Sequence, residues 1–164
     1  MVADYLAAQG HKHILYRRGL PFQASANRRY ESFQEAAVRH GLVANEDSTR
    51  AENYEFALSA GERAFLTQSK NERPTAIVCG NDLLAYSAFD YCENAHFRVP
   101  EDFAIIGFDG IMPQVRPAAV LTTVRAPWSE VAVTAVDLLI QRLEGKSIAL
   151  ETVLPVELVI GRTA

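Results

Sequence analysis

Polar residues stand where two apolar runs stop, and their types suit recognition better than catalysis. The run Thr75-Ala76-Ile77-Val78-Cys79 ends at Gly80 and is followed at once by Asn81 and Asp82. A second run, Phe103–Phe108, delivers Asp109 within IIGFDGIM. An amide carries two donors and an acceptor, and an ionised carboxylate carries acceptors only. Together they match a ligand rich in hydroxyl groups, each of which both donates and accepts. Asp82 and Asp109 could also be imagined as a carboxylate pair for acid–base work. No serine nucleophile elbow, phosphate-binding loop or HExxH zinc helix accompanies them, so the expectation is binding without a cofactor and without turnover. Asp82 also suits the cap of a following helix. Asn81, one residue earlier, is harder to explain that way.

Two other signals carry less. His11 and His13 flank Lys12 at a strand start, but two imidazoles without a third ligand do not make a metal site. Arg17-Arg18 follows the first strand and reads as a solvated turn.

The elements that must position these groups alternate. Expected helices are Val2–Gln9, Ser25–His40 capped by Ser25, Glu55–Ser69, Leu83–Asn94 and Trp128–Leu143. In the second, Tyr30, Phe33, Ala36 and Ala37 share a face; in the third, Phe56, Ala60, Ala64 and Phe65 do. Expected strands are His13–Tyr16, a short edge strand within the polar stretch 44–53, Thr75–Cys79, Phe103–Phe108, Leu121–Val124 and Thr152–Ile160. The continuous apolar runs are the pattern of parallel strands covered on both faces. This spacing predicts an α/β fold with a doubly wound parallel sheet, in which ligands bind beyond the carboxyl ends of the strands. Asn81 and Asp109 belong to that rim.

Composition sets the remaining bounds. The chain has 164 residues, 49% hydrophobic and 22% charged, with a formal net charge of −4. Its Lys and Arg residues are dispersed, which argues against a nucleic-acid-binding surface in this segment, because phosphate neutralisation needs them concentrated. Cys79 and Cys92 lie in apolar segments without a CxxC pattern and read as reduced core thiols of a cytoplasmic protein. No apolar run has the length of a membrane span, and MVADYLAAQGHKHI is not a signal peptide.

The stretches YLAAQGHKHI, RRYESF, PTAIVCGNDLLAYSA, RVPEDFAIIGFDG, LTTVRAP and LPVELVIGR resemble, in order and spacing, the effector-binding domain of lactose-repressor-type (LacI/GalR) bacterial transcription regulators. The resemblance implies a two-lobed fold like that of type I periplasmic binding proteins, with a small-molecule effector, such as a carbohydrate, between the lobes. It implies that residues 1–125 and 150–164 form the C-terminal lobe, and that 127–145 form a helix returning to the N-terminal lobe. The helix-turn-helix that meets operator DNA in such regulators is absent from this chain. A homodimer is implied as well. The family's ligand contacts carry over to Arg29 (with Ser32 in place of the usual glycine), Phe56, Asn81 and Asp109; for Phe56 an ordinary core place fits equally. Arg28 lies about 100° around the helix from Arg29 and is expected in solvent. After LTTV many members place a polar contact, whereas this chain has Ala126-Pro127-Trp128. An exported sugar-binding protein of the same fold is the alternative. Finally, Trp128–Leu143 is apolar on more than one side, which predicts self-association to cover it.

Overall fold

In the computed structural model, residues 1–20, 22–46, 57–69, 71–111 and 120–164 are described. They form helices α1 (Val2–Ala8), α2 (Ala24–Arg39), α3 (Ala60–Leu66), α4 (Asp82–Asn94) and α5 (Trp128–Leu143). The strands are β1 (His13–Arg17), β2 (Val43–Asn45), β3 (Ala76–Cys79), β4 (Ala104–Asp109), β5 (Thr122–Arg125) and β6 (Glu157–Val159).

The sheet order is β2-β1-β3-β4-β5-β6. Pairs from β2 through β5 are parallel, with Leu15 opposite Ile77, Ile77 opposite Ile105 and Phe108 opposite Val124. The chain winds outward in one direction from β1 to β2 and in the other through β3, β4 and β5. The doubly wound reading therefore holds. It needs one correction: β6 runs antiparallel to β5, and only Glu157–Val159 of the expected strand Thr152–Ile160 pairs.

Alternation along the strands explains the two-layer core. Ile14, Tyr16, Ala76, Val78, Ala104 and Ile106 face Leu6 of α1 and Phe33 and Ala37 of α2. Leu15, Ile77, Cys79 and Ile105 face the opposite way, onto Leu66 of α3 and Leu84, Ala88 and Cys92 of α4. Side chains of successive strand residues point to opposite faces, so strands sandwiched between helices must be apolar throughout. Both cysteines are free and buried, and burial pushes the Cys92 thiol up to about 12.

Helix starts differ from the expectation at α2 and α3, and by one residue at α4, which begins at Asp82. The residue before α2 is Gln23, which makes no side-chain cap, and Ser25 lies inside the helix. The third helix begins at Ala60, behind Ser59, whose hydroxyl accepts from the Glu62 N–H while the Glu62 carboxylate accepts from the Ser59 N–H. That reciprocal pair satisfies two orphan donors and fixes the entry. Ala60 and Ala64 are exposed, and the buried face of α3 is carried by Glu62 and Leu66 with partial burial of Phe65. Residues 47–56, including Phe56, lie outside the described residues.

The reading of Arg17-Arg18 as a solvated turn is corrected at Arg17, the last residue of β1. Arg17 is wholly buried (0% exposed) and paired with Glu62 at 1%. Its Nε donates to Glu62 Oε1 at 3.0 Å, its Nη2 to Oε2 at 3.3 Å, and its Nη1 to the Leu84 carbonyl at 2.5 Å. One guanidinium thus ties the end of β1 to the first turns of α3 and α4. Helix α5 is the opposite case: none of its residues is buried, and Val133, Val136, Leu139 and Leu143 are largely exposed.

Candidate functional site

The carboxyl ends of β1, β3, β4 and β5 converge on one rim, and the point where the winding direction changes lies between β1 and β3. Arg29, Gly80, Asn81, Asp109 and Trp128 line an open concavity of about 570 Å³ there, with Gly19 and the start of α2 closing one side. Of the four residues predicted from sequence, three meet at this concavity. The fourth, Phe56, lies outside the described residues.

Arg29 projects from the first turns of α2. Its Nη1 donates to the Gly80 carbonyl at 2.8 Å, and Nη2 stands 3.4 Å from Asp109 Oδ1. The guanidinium lies 3.8 Å from the centroid of the Phe108 ring, a cation–π contact that fixes its plane. Arg28 is exposed and reaches Glu151 instead, as its place on the helix predicts. Asp109 is partly buried. Burial raises its carboxyl above the ordinary carboxylate range, and the Arg29 charge opposes that rise. Its carbonyl accepts the Trp128 indole N–H at 2.8 Å, while half of the Trp128 side chain stays exposed.

Asn81 takes the cap expected of Asp82 and stays at the rim, whereas Asp82 is withdrawn from it. Asn81 is the helix cap: its backbone is extended (φ −156°), and its Oδ1 accepts the Leu84 N–H at 2.9 Å. An extended residue immediately before the first helical turn is where a side-chain oxygen can reach back to a free N–H. The cap uses only the amide oxygen. Among the described residues the NH2 group of Asn81 makes no hydrogen bond and remains a donor pair at the rim. Asp82, already helical, turns inward with 1% exposure. It accepts the Thr123 hydroxyl at 2.6 Å and the Ile111 N–H at 2.6 Å.

The rim therefore combines a guanidinium, a carboxylate, amide donors and an exposed aromatic edge. Such a set can hydrogen-bond hydroxyls from several sides and cover an apolar ring face. Trp128 was not singled out from sequence as a site residue. Its signal was the position directly after LTTVRAP, where many members of the family place a polar contact and this chain has instead an indole, whose N–H is taken by the Asp109 carbonyl. No group of three His, Cys, Asp or Glu that could hold a metal occurs among the described residues.

The profile of the periplasmic-binding-protein-like domain matches residues 3–164. The chain belongs to that family, in its lactose-repressor-type branch. It is 31% identical over 147 residues to the HTH-type transcriptional repressor PurR of Aliivibrio fischeri, covering 89% of this chain and 44% of that protein. It is 41% identical over 86 residues to an arabinose metabolism transcriptional repressor of Geobacillus stearothermophilus, covering 52% of this chain and 24% of that protein. A dimeric Lac repressor structure superposes with a TM-score of 0.81 at 24% identity, over 99% of this chain and 59% of that one. The chain thus spans less than half the length of the curated relatives it matches. No helix among the described residues is long and apolar enough to cross a membrane.

Proposed function

We propose that this chain is the effector-sensing portion of a lactose-repressor-type transcription regulator. Its rim would bind a small hydroxylated molecule, a carbohydrate being the best chemical fit, through Arg29, Asn81 and Asp109, with Phe56 as a stacking candidate. Operator DNA would be met by a helix-turn-helix outside this chain, in a cytoplasmic homodimer, and the protein would catalyse nothing. The observation that carries this reading is the meeting of guanidinium, amide and carboxylate at one concavity in a chain whose relatives are named repressors. An exported binding protein of the same fold has less support, because two buried free thiols suit a reducing compartment.

One lobe can enclose only one side of a ligand, so affinity should depend on the facing lobe. Calorimetric titration of the full-length regulator with pentoses, hexoses, their phosphates and purine bases tests the reading. A saturable heat with one class, weakened by Asp109→Ala, is expected. Full-length protein that binds none of these classes, or converts one of them, would overturn it.

A further inference from the structure

The turn that presents Asp109 is unusual in its backbone. Asp109 has φ +117° and Gly110 has φ +75°, both in the region L side chains rarely adopt. A non-glycine residue persists there only where its surroundings over-determine it. The Asp82 carboxylate supplies that constraint from another element. Its Oδ2 accepts the Ile111 N–H at 2.6 Å, the Gly110 N–H also bonds to it, and its Oδ1 accepts the Thr123 hydroxyl at 2.6 Å. Room for it exists because residue 107 is glycine: a Cβ there would stand 2.2 Å from Asp82 Oδ1. The first turn of α4 is thus bonded to the exit of β4 and to the middle of β5. An ionised carboxylate is acceptor-only and takes all three donors, whereas protonation removes the charge that strengthens the bonds from the Ile111 and Gly110 N–H groups, which only donate and cannot accept an O–H placed on Oδ2.

We infer that Asp82 is a positioning residue whose ionised carboxylate holds the Asp109–Gly110 turn, and that proton uptake by Asp82 releases this turn. The rim would then recognise its ligand less well as the pH falls through the Asp82 titration. Burial pushes the Asp82 carboxyl up to about 6; the like charge of Asp109 adds to the rise, and the bonds from Thr123, Ile111 and Gly110 oppose it. The titratable groups facing it are Asp109 at the end of β4 and Tyr86 on its own helix, while β5 presents the neutral Thr123. The functional meaning rests on Asp109 contacting ligand, but the position of the turn can be read with no ligand present, so the two readings can fail separately.

Trp128 is the single tryptophan, and its indole N–H donates to the Asp109 carbonyl. Its nitrogen–proton NMR signal therefore reports where Asp109 sits. In a titration from about pH 4.5 to 8, spanning the raised carboxyl, this signal should move with a midpoint near 6. Asp82→Asn should hold it at the low-pH position throughout, and Asp109→Asn should still titrate. Thr123→Val removes a donor to the ionised form and should shift the midpoint upward; it also decides the matter if Asp82→Asn does not fold. A signal that titrates unchanged in Asp82→Asn, a midpoint lost only in Asp109→Asn, or an unmoved midpoint in Thr123→Val would each overturn the inference.

Discussion

Replacing Glu62 by Ala should be among the most damaging single changes in this lobe. Glu62 is at 1% exposure and Arg17 at 0%, so the substitution takes the carboxylate away from the Nε and Nη2 of a buried guanidinium that keeps its bond to the Leu84 carbonyl. Removing one partner of a buried ion pair costs about 3–5 kcal/mol, because the remaining charge cannot reach water. The Ser59 N–H also loses its acceptor at the start of α3. Against a total stability of about 5–15 kcal/mol, the lobe would keep little margin. For a chain of this size, that corresponds to a Tm lower by roughly 6–20 °C. The reasoning predicts a contrast as well as a loss. Replacing both partners together, as Arg17→Met with Glu62→Leu, removes the desolvation cost along with the attraction and should lie within about 2 kcal/mol of the original protein or above it. Urea melts of Arg17→Met, Glu62→Leu and the variant carrying both complete the cycle. A Glu62→Ala variant within about 1 kcal/mol of the parent, with an unchanged denaturant slope, would refute the account: the pair would then be behaving as an exposed one.

Asp109→Ala in the full-length regulator should weaken effector binding by about 1.5–3 kcal/mol, roughly 10- to 150-fold in Kd by calorimetry; an unchanged Kd removes Asp109 from the site. The folded state holds the Asp82 proton more tightly than the unfolded chain, about 6 against 3.8, so this stabilising contribution is complete below the lower value and lost as pH rises through the higher. Urea melts at several pH values should therefore show the stability difference between Asp82→Asn and the parent moving in favour of the variant from acid to neutral pH, and a constant difference counts against it. With α5 unburied along its length, light scattering at micromolar concentration should find a dimer or larger species, and a clean monomer would count against self-association. This 164-residue chain should show no sequence-specific DNA binding in a mobility-shift assay at physiological salt, since its basic residues are dispersed.

Local pattern in the sequence determined much of the framework. β3 and β4 were legible because strands covered on both faces read as unbroken apolar runs, and α5 because Pro127 and Gly145 bracket a long apolar-periodic segment. The rule that ligands meet the carboxyl ends of parallel strands led to Asn81 and Asp109, and the resemblance led to Arg29. The tertiary structure decided what depends on partners distant in the chain. Arg17 looks like a surface residue until Glu62, 45 positions on, folds against it. Asn81 rather than Asp82 became the cap because the chain enters α4 in an extended conformation at residue 81, which frees Asp82 to bond Thr123, 41 positions away. The direction of β6 and the contact of Trp128 with Asp109 likewise arise from pairings that leave no mark on periodicity. Periodicity reports which face of an element is buried. It carries no information on which buried or rim groups meet, because that depends on the separations and angles at which the finished elements pack.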